Sequence, residues 1–279
     1  MTGTEHTVKL IRRLRAYKLA RPRRRLAKPL EPNAIRREYF KAIRAQFLDE
    51  ARTLIEREVL PELDAILAER SDAVRVDAGR LGGVFTKVKA LWDRSFQPKA
   101  VENLAELAAD RTSKFQRDQF NSQVRSGLGV DLFTREPNLT RQTEDFVTEN
   151  VALIKSIPTQ YFSDVEKTIT AGVRQGKRAN EIARDLQDRY QVAENRAKLI
   201  ARDQVGKFYG DLAQARQQEL GVTKYIWRTV RDNRVRPEHA AYDGKVFSWS
   251  RPPADGHPGE AVNCRCYAEP DFSGILGDI

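Results

Sequence analysis

Cysteine and histidine are scarce in this 279-residue chain, and its hydrophobic runs are short. The two Cys stand one residue apart, so they cannot form the disulfide framework of a small secreted protein. No apolar run approaches the roughly 20 residues that a membrane span requires. The N-terminus also lacks the continuous apolar core of a secretory signal. We therefore expect a reducing compartment, no membrane partner, and a protein that stays in the cell that makes it.

Several common catalytic patterns are missing as well. The sequence contains no Gly-rich phosphate loop, no Ser-His-Asp arrangement and no carboxylate-rich two-metal motif. Its composition, 40% hydrophobic and 32% charged, is that of a globular protein and argues against disorder throughout. The length is sufficient for two domains with a sizeable core.

The positive charge is concentrated at the N-terminus. Residues 1–28 hold ten Lys or Arg against one acid, which accounts for +9 of the net charge of +10. A basic arm on a nearly neutral body is typical of a segment that binds polyanions such as double-stranded DNA, without reading the base sequence. An acidic protein surface is the alternative partner. The candidate DNA-binding residues are Arg12, Arg13, Arg15, Lys18, Arg21, Arg23, Arg24, Arg25 and Lys28.

Prolines mark the end of this arm, and the sequence predicts three consecutive parts: a basic arm and linker at 1–32, a helical body at 33–221 and a small α+β domain at 222–279. The predicted fold is mainly α, with an elongated helical body. Apolar residues recur at helical spacing after Asn33, which is a suitable N-cap. We expect Pro98 to begin a helix, Pro158 to end one, and the glycines at 79, 82 and 83 to interrupt the helical pattern.

Two further helices are predicted, over 181–190 and over 193–220, with Gly221 as the C-terminal cap of the second. In the second helix, Gly206 and Gly210 lie four residues apart and would let another backbone approach closely. Arg202 and Asp203 are predicted to point toward the terminal domain and fix its orientation.

The terminal domain carries strand and turn signals. Residues 224–230 and 245–249 have the aromatic and β-branched content of strands, and Pro237 suits the first turn of a short helix. A last short strand is expected to contain Cys264 and Cys266, whose side chains would then point to the same face.

Both Cys and two of the three His lie between His239 and Cys266, about a tenth of the chain. Thiolate sulfur and imidazole nitrogen are the ligands that zinc prefers, so His239, His257, Cys264 and Cys266 are the candidate zinc ligands. Against this, the Cys spacing is not that of a usual zinc knuckle, and the two His are far apart in sequence. Two buried thiols in a small packed domain are the alternative.

The ordered motifs of the last third resemble the phage Mu F-like head morphogenesis family. The resemblance lies in the string at 197–203 and in a set of separated residues: Trp227, Asp232, Arg234, Arg236, His239, Gly244, Asn263, Cys264 and Cys266. It implies a minor capsid protein of a tailed phage, located in the virion near the portal, and in the host cytoplasm during assembly. The implied partners are the portal protein and the capsid or scaffolding protein.

Two function classes remain after these observations. The first is an assembly and DNA-handling protein without a catalytic role, which the resemblance favours. The second is a metal-dependent nuclease using Asp232, His239 and His257, because a metal ion, a carboxylate and a His near phosphate are the ingredients of such a site. No complete nuclease spacing such as a His-Asn-His arrangement is present.

Overall fold

The structure, a computed structural model, describes residues 26–68, 78–128 and 136–273. Within these ranges helices dominate and a three-stranded antiparallel sheet follows them, as the sequence predicts. The helices are α1 (Asn33–Ile43), α2 (Asp49–Leu54), α3 (Leu60–Ala68), α4 (Ala78–Ser95), α5 (Pro98–Leu128), α6 (Thr140–Arg174), α7 (Ala179–Glu219) and α8 (Pro237–Tyr242). The strands are β1 (Lys224–Thr229), β2 (Val246–Ser248) and β3 (Cys266–Pro270). No helix in the described ranges is both long enough and apolar enough to cross a membrane.

The described residues form two compact units that combine segments remote in sequence. The helical unit comprises 37–68, 78–105 and 148–201, and the sheet unit comprises 26–36, 106–128, 136–147 and 202–273. Helices α1, α5, α6 and α7 each contribute residues to both units. The division into a basic arm and linker, a helical body and a terminal domain stays a prediction.

In the helical unit, the backbone stays helical from α1 to α3 through two π-helical turns, Arg44–Leu48 and Ile55–Val59. Proline lacks an N–H and disrupts a regular α-helix. Pro61 is accommodated here because it lies in the first turn of α3, directly after the second π-helical turn.

The core of the helical unit is aliphatic and aromatic. Trp92 meets Phe162 edge to face, with ring centroids 5.6 Å apart. The buried Tyr39 hydroxyl donates a hydrogen bond of 2.9 Å to Oδ1 of Asn150, so this polar pair is satisfied within the core. Other fully buried members are Ile43, Leu48, Val59, Phe85, Val88, Ile154, Ile157, Val165 and Ile169.

Two predicted helix boundaries were wrong. The glycines at 79, 82 and 83 lie inside α4, and Pro158 lies inside α6. In both helices a buried apolar stripe runs past the breaker, and its burial outweighs the local cost of the breaking residue. The stripe residues that continue beyond the breakers are Phe85, Val88 and Trp92 in α4 and Tyr161, Phe162, Val165 and Ile169 in α6.

The two helices predicted over 181–190 and 193–220 are one helix, α7. The buried Ala193, Ala197 and Ala201 continue its apolar stripe across the expected break. Its C-terminus is as predicted: Gly221 has φ +83°, and the N–H of Val222 donates to the carbonyl of Gln217 at 2.9 Å.

The sheet unit is organised around β1, which lies between β2 and β3. Tyr225, Trp227 and Thr229 alternate onto the buried face of β1. Thr229 pairs directly with Cys266, and Trp227 with Ala268, so Cys266 shares the face of Trp227. The register of this antiparallel pair therefore places the Cys266 side chain on the buried face of the sheet.

Residues from α5 and α7 bury polar groups in the same unit. Arg216 is 3% exposed and bonds to Glu136, Gln116 and Ser113. Gln217 is also buried: its amide donates to the carbonyl of Ala268 at 3.0 Å and accepts from the indole N–H of Trp249 at 3.2 Å. This amide connects α7 to β3 and to Trp249, the residue that follows β2.

Candidate metal centre

Three of the four predicted ligands converge in the sheet unit. His239 comes from α8, Cys264 from the turn before β3, and Cys266 from the first position of β3. Their ligand atoms all lie within 4.8 Å of one another. The Nδ1 atom of His239 is 3.6 Å from Sγ of Cys264 and 3.4 Å from Sγ of Cys266.

These separations fit a tetrahedral zinc ion. With Zn–S of about 2.3 Å and Zn–N of about 2.0–2.1 Å, tetrahedral angles place a nitrogen and a sulfur ligand about 3.6 Å apart. Two thiolates and one imidazole also form a donor set that favours zinc over the hard cations Mg²⁺ and Ca²⁺. The three residues supply three ligands, so a tetrahedral ion would take one more ligand, such as water.

The surroundings of His239 orient its ring. The side chain is 2% exposed and meets Trp227 edge to face at 5.1 Å. Its Nε2 atom is buried, has no hydrogen-bond partner among the described residues, and lies 4.0 Å from Oδ2 of Asp255. A metal-bound His commonly directs its second ring nitrogen toward a carboxylate, and Asp255 is placed for that role when Nδ1 binds metal.

The two thiols shift each other's pKa. The pKa of Cys264 is lowered to about 6, chiefly because the Cys266 thiol donates a hydrogen bond to it, with the backbone N–H groups of Gly259 and Cys266 adding to the effect. The pKa of Cys266 is raised, because its proton is shared with Cys264 and because it is buried. Without metal the pair therefore favours one thiolate and one thiol.

A network of backbone contacts holds the loop that carries Cys264. The N–H of Asn263, a residue with φ +55°, donates to Oδ1 of Asp203 on α7 at 2.6 Å. Arg236 donates to the carbonyl of Val262 at 2.8 Å. The prediction that Asp203 points toward the terminal domain is confirmed. Cys264 reaches the cluster from a turn, whereas the sequence placed both Cys in one strand.

His257 lies outside the group of three. Its Nδ1 atom hydrogen-bonds the Tyr225 hydroxyl at 2.9 Å, and its ring packs against Trp249 at an interplanar angle of 57°, with centroids 4.8 Å apart. Tyr225 precedes Trp227 by two residues on β1, which separates their positions by about 6.6 Å. The two His therefore pack on neighbouring residues of the same sheet face.

The remaining motif residues shape the backbone and pair charges. Asp232 forms an ion pair with Arg265 at 2.5 Å and accepts the N–H of Arg234 at 3.2 Å. Gly244 has φ +86° and donates its N–H to the carbonyl of Trp227 at 2.8 Å, which closes the turn before β2. Each of these residues has a structural reason to be present.

The three candidate nuclease residues contact separate sets of partners. The carboxylate of Asp232 faces arginines, His239 faces the thiols, and His257 faces Tyr225. Among the described contacts, no two of these three residues share a hydrogen-bond or ion-pair partner.

Most of the predicted DNA-binding residues, Arg12 to Arg25, lie outside the described residues. Lys28 alone lies within them, at an exposed position before α1. The DNA-binding role of the arm stays a prediction.

The sequence-based reasoning missed Asp255 and Gln217. Asp255 falls inside the His239–Cys266 interval, so a search of that interval for carboxylates would have found it. Gln217 appears in the sequence as one more polar residue near the end of a helix. Only its burial at 1% exposure, between Trp249 and β3, reveals its role.

Comparison with known proteins adds a family and two relatives. The family model described as Phage Mu protein F like protein matches residues 163–269. An uncharacterized protein of Haemophilus influenzae is 34% identical over 188 residues, which cover 66% of this chain and 42% of that protein. An uncharacterized protein of Methanocaldococcus jannaschii is 33% identical over 118 residues, covering 42% of this chain and 18% of that protein. The chain thus spans less than half the length of either relative. No solved structure matches it significantly.

The matched range contains α7, α8 and the three strands up to Glu269, and with them the cluster of His239, Cys264 and Cys266. The motifs from Trp227 to Cys266 fall within it. Residues 163–269 of this chain are therefore a region of the phage Mu protein F-like type.

Proposed function

We propose that the protein is a minor capsid protein that acts in head morphogenesis of a tailed phage, at the portal vertex, during head assembly and DNA packaging or ejection. The family match over 163–269 carries this proposal. The proposed location is the capsid interior near the portal, after assembly in the host cytoplasm.

The proposed partners are the portal protein and the capsid or scaffolding protein, with long helices as the docking surface. Co-purification with the portal ring tests this. The complex should survive high salt, which screens contacts between exposed charges and removes those bridged by DNA. Absence of the protein from portal complexes and from purified heads would exclude the vertex role.

The basic arm is proposed to bind duplex DNA without sequence preference. The test is the full chain with Arg21, Arg23, Arg24 and Arg25 changed to Gln, compared with the unmodified protein over a series of salt concentrations. Each lost phosphate contact should reduce the slope of log affinity against log salt by about 0.9. Equal slopes in both proteins would reassign the arm to an acidic protein partner.

The protein is proposed to act in assembly and not as an enzyme. Two observations support this proposal: the family match, and the fact that Asp232, His239 and His257 contact separate partners. Purified protein incubated with plasmid and divalent cations should leave the plasmid intact, as in a control with chelator. Chelator-sensitive cleavage that His239→Ala abolishes would establish the nuclease instead.

The cluster of His239, Cys264 and Cys266 is proposed to hold zinc as a structural staple of the sheet unit. Elemental analysis of protein purified without chelators should find about one equivalent, and Co²⁺ substitution should give thiolate-to-metal charge-transfer absorption. Cys264→Ser and Cys266→Ser should each lose metal. Helix content by circular dichroism should persist, because the helical-unit core contains none of these residues.

His257→Gln is the matched control within the same domain. It should retain metal, since His257 bonds Tyr225 and not the thiols. Loss of metal in His257→Gln with a folded sheet would restore the four-ligand prediction. If every preparation of the protein is free of metal, the zinc proposal is refuted and the two Cys are buried structural thiols.

A further inference from the structure

A cleft in the sheet unit is lined by four basic side chains. Lys28, Arg36, Arg202 and Arg265 border this cleft, whose volume is about 50 Å³. They come from the segment before α1, the first turn of α1, α7 and the loop before β3. Among the lining residues, Glu31 is the one acid.

The local acids do not balance these cations. Glu31 accepts a hydrogen bond from Arg36 at 3.0 Å and lies 4.0 Å from Arg265. Arg265 also pairs with Asp232, which is not a lining residue. The side chains of Lys28 and Arg202 make no hydrogen bond or ion pair with any described residue. An excess of two positive charges therefore remains.

Arg36 shows the effect of this crowding. Its side chain is 14% exposed, and its Nε atom is buried without a partner in the described part of the chain. Burial lowers the pKa of Arg36, Glu31 opposes this, and Arg202 and Arg265 lower the pKa further. A Cβ at Gly206 would lie 3.1 Å from Nη2 of Arg36, so the guanidinium lies close to the backbone of α7. Guanidinium groups gathered in this way are stabilised by an anion between them.

When zinc is bound, the neighbouring metal cluster does not supply that anion. Cys264 and Cys266 line the same cleft. A zinc ion bound by two thiolates and a neutral imidazole carries no net charge, so occupancy of the cluster leaves the excess of the arginines unchanged.

We propose that this cleft binds a phosphate group of a nucleic-acid backbone through Arg36, Arg202 and Arg265, with Lys28 at its rim. Planar guanidinium groups bind phosphate through paired hydrogen bonds. Nucleic acid is favoured because Lys28, the last basic residue of the arm in the sequence, itself lines the cleft. The proposal extends the DNA-binding function proposed for the arm and places a phosphate contact on folded residues.

The test is Arg202→Gln in the full chain, measured by fluorescence anisotropy with a short DNA duplex over a salt series. Arg202 has no hydrogen-bond or ion-pair partner to lose among the described residues, so the fold should be preserved. At about 0.15 M salt, a slope of about 0.9 per contact corresponds to about fivefold in affinity. We expect Arg202→Gln to weaken binding by about that factor and to reduce the slope by about one.

Arg251→Gln is the matched control: it removes the same charge from an exposed position of the sheet unit that does not line the cleft. It should leave the slope unchanged. Arg36→Lys keeps the charge but loses the fork geometry, and it should weaken binding with little change in slope.

This set of variants distinguishes failure of the cleft proposal from failure of the arm proposal. If Arg202→Gln binds like the unmodified protein while the arm variant is weakened, the cleft proposal is refuted and the arm proposal stands. If only Arg202→Gln is weakened, the arm proposal fails. If duplex binding is unaffected by both variants, neither contacts DNA.

Discussion

Adding one methyl group at Gly210 should loosen the loop that supports the metal cluster. A Cβ at this position of α7 would lie 2.9 Å from the carbonyl oxygen of Pro258 and 3.5 Å from Cα of Gly259. Both neighbours are backbone atoms, so no side-chain rotation relieves the contact. Gly259, at φ +109°, cannot be exchanged for a larger residue without further strain.

Two opposing effects decide the magnitude. Replacing Gly by Ala inside a helix gains about 0.8–1.0 kcal/mol of helix propensity. Forcing an extra carbon into a filled contact costs about 1–3 kcal/mol. The expected net change for Gly210→Ala is thus a destabilisation of the sheet unit by roughly 0–2 kcal/mol.

Gly82→Ala isolates the steric effect, because a Cβ there meets nothing within 4 Å and should give the propensity gain alone. Urea unfolding followed by Trp227 and Trp249 fluorescence, in a Trp92→Phe background, reports on the sheet unit. The free energy of unfolding of Gly82→Ala is best followed by circular dichroism. Gly210→Ala should also weaken metal binding, since Gly259 donates its N–H to Cys264. Stabilisation by Gly210→Ala equal to that by Gly82→Ala would refute the reasoning.

Three further changes test other contacts of the sheet unit. Burial lowers the pKa of His257 in the folded protein. The stability that the neutral imidazole contributes is therefore complete above the unfolded pKa of about 6.5 and is lost as the pH falls below that value. The urea midpoint should drop between about pH 7 and about pH 5, and it should drop less in His257→Gln. Asp203→Ala leaves the Asn263 N–H without its acceptor and should cost about 1–3 kcal/mol, whereas Asp203→Asn retains an oxygen acceptor and should cost less; equal losses would argue against this bond. Gln217→Leu should destabilise the sheet by a similar amount and alter Trp249 fluorescence, because it removes two buried hydrogen bonds.

The local sequence determined the elements of the terminal domain. Strong short-range signals placed β1, α8 and β2 correctly, since Pro237 fixes a helix start and Gly244 supplies the positive φ of the next turn. Gly221 likewise ended α7 where predicted. These features depend on φ preferences and side-chain propensities within a few residues, and such information is present in the sequence itself.

The lengths of the long helices were decided by tertiary packing. Pro158 and the α4 glycines are local breakers, and a local rule stops a helix at them. The helices continue because residues beyond the breakers, such as Phe85 and Phe162, are buried in the core. The stabilisation from that burial depends on partners far along the chain, which the local sequence does not identify.

The candidate site divides in the same way. Residue types and clustering alone singled out four candidate ligands, His239, His257, Cys264 and Cys266, because Cys and His are rare in this chain and concentrated in one interval. The choice between the two His was made by the fold: α8 directs His239 toward the thiols, while Tyr225 binds His257 two strand positions away. The meeting of Arg36, Arg202 and Arg265 in one cleft likewise required three segments that are remote in sequence. Composition reports which ligands and charges exist, and only the packing of helix, turn and strand determines which of them face the same point in space.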